Sequence, residues 1–257
     1  VQNGNQSGKY VMSTNYMNRQ GIQLFTYFKQ GNTRLNSEFK LGDNVTIGQH
    51  FSASYSIGNA ANQIGFAKRA NPLIPVYDDA GNFAGTAAAQ TSNGNNPVAL
   101  LSRAQDNYNK NFRTFGDMYL QWQIVDGLTA KSTISALTTF FNSRTFDALN
   151  PEVSEPVSTN TLREQDSNST SWTWTNTLNF AKTYGKHNIN AIVGVEALRE
   201  MYKGKELIRT GYLFEDPDFY LLSNGSGAPL VNFASQSSNS LSSLFGTASY
   251  TYDNKYY

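Results

Sequence analysis

Residues 45–58 read VTIGQHFSASYSIG, and their alternation restricts the chain more than any other feature of the sequence. Val45, Ile47, Phe51, Ala53, Tyr55 and Ile57 share one parity, broken by Gln49; Thr46, Gly48, His50, Ser52, Ser54 and Ser56 share the other. Successive side chains of an extended strand point to opposite faces, so this segment is a two-faced strand. Two environments suit it. In a soluble sheet the apolar face meets a core and the polar face meets water. In a membrane barrel the apolar face meets lipid and the polar face lines a wet interior.

The pattern recurs along the chain and gives about eight long strands, near residues 9–18, 33–41, 45–58, 112–125, 128–141, 169–184, 188–200 and 243–257. Leu35, Phe39 and Leu41 oppose Arg34, Asn36, Glu38 and Lys40; Met118, Leu120, Trp122 and Ile124 oppose Asp117, Tyr119, Gln121 and Gln123. Ala130, Ile134, Ala136 and Phe140 oppose Lys131, Thr133 and Ser135, and Trp172, Trp174, Leu178 and Phe180 oppose a run of Thr and Asn. Ile189, Ala191, Val193, Val195 and Ala197 form one more apolar stripe. With no amphipathic helix between them, these strands define an all-β, antiparallel fold.

The connections separate the two environments. LGDN, DG and YGKH are tight turns, whereas residues 21–32, 59–111, 144–169 and 201–239 are long links, and short and long alternate without exception. Outer-membrane barrels place short turns on the periplasmic side and long loops outside, so the alternation predicts a portion of a transmembrane β-barrel. The long links are rich in Asn, Ser, Gly and Ala, as in TAAAQTSNGNNP, and are expected to be exposed surface segments. Tyr184 and Tyr252 beside their turns, and Trp172 and Trp174 near the start of their strand, are candidates for an interfacial aromatic girdle; the competing explanation is that aromatic residues favour strands anyway.

Composition agrees. Charged residues make up 15% of the 257, against roughly 25% in an average soluble domain. A net charge of +1 gives no general attraction for nucleic acid. Cys is absent, which removes disulfides and thiolate metal sites. No apolar run approaches the length of a membrane helix, and VQNGNQSGKY has neither the charged nor the apolar part of a signal peptide. Without an initiating Met, the chain is expected to be processed or a piece of something longer.

Several segments, taken together, resemble the SusC/RagA family of TonB-dependent outer-membrane transporters. They are YVMSTNYMNRQGI with FKQGNTRLNSEFKLGDNVTIG, then NPLIPVYDDAGNFAG and NPVALL, WTNTLNFAKTYGKHNINAIVGVEA, and SLFGTASYTYDNKYY. Thr247 and Ser249 depart from the family's usual Arg and Asn, and Phe180 from its Tyr. The resemblance implies that residues 1–257 are the front part of a 22-stranded barrel, lacking the plug and the TonB-contacting segment. It further implies import of oligosaccharides or peptides across the outer membrane of a Gram-negative bacterium, with a SusD-like lipoprotein as lid, TonB as the energising partner and no cofactor. A small standalone barrel of structural or adhesive role is the alternative, and a soluble carbohydrate-binding β-sandwich a third reading.

On the expected interior face, Arg34, Glu38, Lys40, Arg113, Asp117, Lys131 and Glu196 are candidates to line the solute path or hold a plug through ion pairs; the competing reading is a solvated wall braced by cross-strand pairs. His50 joins that face as a hydrogen-bonded residue rather than a metal ligand. In the long link 59–110, Tyr77, Phe83, Asn96 and Tyr108 are candidates for loop and lid contact, against ordinary packing within the loop. DDAGN (78–82) lacks the spaced acidic ligands of a calcium loop and reads as a turn with Gly81 at positive φ. The acidic FEDPDF (214–219) reads as a solvated loop ahead of a cation site. Two distant His, no Cys and no nucleophile elbow or phosphate loop leave no assembled catalytic set. The expectation is a protein that is not an enzyme.

Overall fold

The computed structural model describes residues 1–89, 94–253 and 255. They form one antiparallel sheet in strict sequence order: β1 (Gln2–Gly4), β2 (Gly8–Gln20), β3 (Tyr27–Leu41), β4 (Val45–Asn59), β5 (Tyr108–Val125), β6 (Leu128–Asp147), β7 (Thr161–Tyr184), β8 (His187–Thr210) and β9 (Val231–Tyr252). Eight of the nine are the long strands anticipated from alternation; β1 is a three-residue addition at the edge. Among the described residues β1 and β9 do not pair with each other, so the sheet has two edges. No helix is long and apolar enough to cross a membrane among these residues, which says nothing about strands.

The register carries the face assignments across the sheet. Leu41, Val45, Trp122, Ala130, Leu178, Val193 and Gly246 follow one another as partners in a single row on the apolar face. Glu38, Gly48, Tyr119, Thr133, Thr175, Glu196 and Ser243 do the same on the polar face. Slippage by one residue would exchange the two sets, so the alternation itself fixes the pairing. Turns after β3, β5 and β7 each hold a glycine in the left-handed region, Gly42, Gly127 and Gly185, as tight hairpins require.

Among the described residues nothing covers the apolar face of the turn-side half. Phe51 is 42% exposed, Leu120 46%, Val193 50% and Leu244 78%, whereas a sandwich would bury this stripe under a second sheet. The described residues hold no second sheet, so the soluble-sandwich reading draws no support from this fold. Buried side chains lie at the opposite end, among the long links: Ala99, Leu101, Phe146, Val153, Leu162, Ile208, Tyr212 and Tyr220.

The strands also run further than alternation suggested. β7 and β8 reach 24 residues each, about 80 Å at 3.3 Å per residue, far beyond the 9–11 residues that cross a bilayer. The long links shrink accordingly to residues 21–26, 60–107, 148–160 and 211–230. Trp172 and Trp174 consequently sit in mid-strand rather than near a strand start, with the Trp174 indole donating to Ser132 Oγ at 3.0 Å. Beyond the apolar stripe neither face has to be greasy, so the ladder continues with no periodic signal in the side chains.

Candidate functional site

Two regions hold concentrated polar chemistry: the polar face of the sheet and the layer built from its long links. On the polar face, register brings Lys9, Glu38, Gly48 and Tyr119 into one row and Asn36, His50 and Asp117 into the next. Gly48 has no side chain, and the Tyr119 ring lies across it; a Cβ there would stand 2.2 Å from the ring. The ring shields bare backbone, and its hydroxyl reaches past the glycine to donate to Glu38 Oε2 at 2.6 Å. Lys9 Nζ holds the other carboxylate oxygen at 2.9 Å.

The network extends from there. Lys131 Nζ lies 4.3 Å from the centre of the Tyr119 ring, a favourable placement of a cation on an aromatic face. His50 stacks beside the same ring at 6.0 Å, and its Nδ1 is 2.9 Å from Asp117 Oδ1. A cavity of about 630 Å³ opens here, lined by Lys9, Tyr10, Asn36, Glu38, His50 and Tyr119 among others.

Of the residues proposed from sequence, Glu38, His50, Asp117 and Lys131 thus meet around Tyr119. Arg34 and Arg113 instead line a neighbouring polar cavity of about 480 Å³ with Asn15, Asn32, Ser52 and Ser54; the Arg34 guanidinium also donates to Asn36 Oδ1 at 3.4 Å. Glu196 accepts from Thr175 Oγ1 at 2.9 Å, three strands from Tyr119 along the same row. Lys40, one row nearer the turns, partners Thr46 in register. Tyr119 was not singled out beforehand. Its signal was Gly48, a residue without a side chain amid the Ser, Thr and His of that face.

The surface offers the Glu38 carboxylate, the Lys9 and Lys131 ammonium groups and the Tyr119 ring. His50 with Asp117 is half of a nucleophile-activating set. Among the described residues no hydroxyl or thiol bonds to His50.

The long links are largely exposed, as their composition suggested, and their described residues are tied to one another by specific hydrogen bonds. Asparagine does much of this, because one amide can both donate to and accept from the backbone of another loop. Asn160, 3% exposed, donates to the Tyr212 carbonyl at 2.9 Å and to Glu215 Oε1 at 2.9 Å, and accepts from Tyr212 N–H at 2.7 Å. Asn96 donates to the Val76 and Ala84 carbonyls at 2.8 and 2.9 Å and accepts from Val98 and Ala99 N–H. That makes it the N-cap of α3 (Pro97–Arg103), the third helix after α1 (Ile64–Ala67) and α2 (Thr86–Ala89). Asn59 and Asn107 act similarly, on the Ala104 carbonyl and the Phe146 N–H. With its whole amide engaged internally, Asn96 supports the loop from within.

Charge and aromatic contacts complete the layer. Arg103 grips Glu152 through two hydrogen bonds of 2.6 and 2.9 Å while lying 5.6 Å from the Phe83 ring. Phe83 stacks on Tyr77 at 5.3 Å, and Tyr77 stays half exposed. Between them DDAGN makes the anticipated turn, with Gly81 at φ 84° and Asp78 Oδ1 accepting from Ala80 and Asn82 N–H. Tyr108 lies between Lys110 and Arg144, at 4.0 and 5.1 Å. Phe146, Leu162, Tyr212 and Tyr220 form a buried cluster. Burial, then the Glu215 carboxylate, pushes the Tyr220 hydroxyl up to about 12. In FEDPDF, Glu215 accepts from Leu149 N–H at 2.8 Å and ties two loops together, while Asp216 accepts from Asp218 N–H at 2.9 Å and caps its own turn.

No family model matches the sequence, and no curated protein matches it. Solved structures do. The RagAB peptide transporter superimposes with a TM-score of 0.79 over 98% of this chain at 20% identity, and the chain spans 29% of that protein's length. BauA, the ferric preacinetobactin receptor from Acinetobacter baumannii, gives 0.57 over 96% of this chain and 34% of that one, at 9% identity. The ferric-catecholate import receptor Fiu from E. coli K12, in its open form, gives 0.53 over 93% and 48%, at 11% identity. The likenesses establish a fold: the chain is all-β and antiparallel, and its sheet superimposes on part of the barrels of these transport proteins.

Proposed function

We propose that this chain is a wall section of a TonB-dependent outer-membrane importer of the SusC/RagA kind, working with a SusD-like surface lipoprotein to take up peptides or oligosaccharides. The observation that carries the reading is the uncovered apolar stripe of a single sheet, with Leu120, Val193 and Leu244 exposed, in a wall that superimposes on that of a peptide transporter. A row of large exposed apolar side chains has no stable place in water, and lipid supplies the missing cover. The polar face then looks into a wet interior, where the Glu38–Tyr119–Lys131 network is available to a plug or a solute.

The interlocked links supply the outer vestibule. Half-exposed Tyr77 is available to a lid or a ligand, while Phe83 is occupied by Tyr77 and Arg103, and Tyr108 by Lys110 and Arg144. No conversion of the substrate belongs to this reading. The standalone barrel draws no support from a sheet with two free edges.

The test uses the full-length protein in its native cell. The protein is expected to fractionate with the outer membrane, to co-purify with a surface lipoprotein, and to lose uptake of labelled peptide or oligosaccharide mixtures when TonB is removed. Recovery in the soluble fraction, or uptake indifferent to TonB, overturns the proposal.

A further inference from the structure

The apolar face changes character along the strands, and the order of the changes is informative. Nearest the turns it holds an apolar groove of about 360 Å³, lined by Leu120, Trp122, Ala130, Leu178, Val193 and Val195. Eight to ten residues further along β6, about 27–33 Å, stands the row Tyr55–Phe112–Phe140–Asn168–Lys203–Gln236. Phe112 and Phe140 stack there at 6.4 Å. Rows run across the strands, and barrel strands tilt by roughly 40°, so one row climbs through the membrane as it crosses the sheet. The same row that is aromatic on β4, β5 and β6 is therefore polar on β7, β8 and β9.

At that polar end a second cavity, about 530 Å³, opens on the same face; Phe140, Asn142, Asp166, Asn168, Lys203 and Lys205 contribute to its wall. Its charges are unequal. Asp166 is occupied, by Lys205 Nζ at 3.0 Å and Asn142 Nδ2 at 2.5 Å. Lys203 is exposed and, among the described residues, has no ion-pair or hydrogen-bond partner. Arg199, four residues nearer the membrane on the same face, is also exposed, with only Ser238 Oγ at 3.4 Å. Two uncompensated cations thus border the upper edge of an apolar stripe, facing away from the polar interior.

We propose that Lys203, with Arg199 below it and the Asn168 and Gln236 amides beside it, binds the phosphate group of an anionic lipid in the outer leaflet, whose acyl chains lie along the stripe beneath. The proposal rests on the membrane reading above. An amphiphile presents chain and phosphate in the order in which this face presents groove and cation, and the counter-ion that the protein withholds from Lys203 is the one the lipid brings.

The full-length protein, reconstituted in phosphatidylcholine nanodiscs with and without lipid A, tests this by native mass spectrometry of retained lipid A. Wild type is expected to retain it. Lys203→Ala and Arg199→Ala each lower retention about fivefold, as expected per cation near a charged leaflet. Lys203→Arg retains it, and Lys182→Ala, which removes a cation from the turn end of the same face, changes nothing. Heat-modified migration in gels verifies that each variant is folded. Equal retention in folded wild type and Lys203→Ala overturns the proposal, as does displacement of the lipid by millimolar inorganic phosphate with no loss in Lys203→Ala. Failure of the wild type to enter nanodiscs at all overturns instead the membrane reading on which the site depends.

Discussion

The turn-side and loop-side halves of this molecule are held together by different means. Turn-side, the ladder is regular, every side chain has a face assigned by parity, and large apolar residues stay uncovered. Loop-side, the strands carry polar groups on both faces, and burial is achieved by links that fold back and bond to one another. Ladder bonds form wherever two strands run side by side, whatever their side chains. Loop bonds such as those of Asn160 need one particular residue at one particular place. The first half is consequently tolerant of sequence within a polarity, and the second is tolerant of polarity but not of identity.

The largest expected effect breaks that comparison on the turn side. Val193→Arg places a charge in the middle of the apolar stripe and is expected to cost about 2–4 kcal/mol if lipid lies against it. Thr177→Arg, on the polar face one residue from Val193's partner Leu178, is expected to cost little. Urea titrations of both variants folded into vesicles measure the difference. Equal costs would mean that the two faces see the same solvent, and the lipid assignment would fail.

Second in size is Asn160→Leu, which conserves volume and removes three hydrogen bonds. The Tyr212 N–H and carbonyl are left buried without partners, at about 1–3 kcal/mol for an orphaned group. Amide exchange at Tyr212 and Leu149 is expected to accelerate by one to two orders of magnitude, while amides in the β7–β8 ladder beside Val193 keep their protection. Unchanged exchange at Tyr212 would show that the cluster of Phe146, Leu162 and Tyr220 holds the link without the asparagine.

This division also explains what the sequence disclosed. Alternation located β2 to β9 because an apolar face at Val45–Ile57 or Ile189–Ala197 leaves a period of two in the residues themselves. It stopped near Arg144, Ser169 and Met201 because the sheet there has no greasy face to mark, although backbone pairing runs on to Asp147, Thr161 and Thr210. Glu38, His50, Asp117 and Lys131 were legible as one polar face; their meeting at Tyr119 was not, since it depends on which residues face each other across Gly48. The asparagine-rich links carried their composition openly. Which asparagine closes on which carbonyl is decided by contacts between links distant in sequence, and no local pattern encodes it.

The smallest effect sharpens the comparison through acidity at the loop-side end of β7, where Glu164 and Asp166 stand two positions apart on one face. Burial, then the neighbouring Asp166 charge, holds the Glu164 carboxyl above its ordinary 4.5. Burial pushes Asp166 up too, but the Asn142 amide and the Lys205 ammonium outweigh it and hold Asp166 below 3.8. The signs are opposite. Glu164 binds its proton more tightly folded than unfolded, so its contribution declines as pH rises from about 4.5 through its folded value. Asp166 contributes fully above its unfolded value, and that contribution disappears as pH falls through its lower folded value. Glu164→Gln is therefore expected to raise the melting temperature slightly at neutral pH and to flatten its dependence between about pH 4 and pH 7. Asp166→Asn is expected to lower it at neutral pH and to leave it unchanged once the pH is below the folded value of Asp166. Thermal melts across that range measure both; variants that shift in the same direction at neutral pH would show that Lys205 serves Glu164 as much as Asp166, and that the loop-side charges act as one pool rather than as separate pairs.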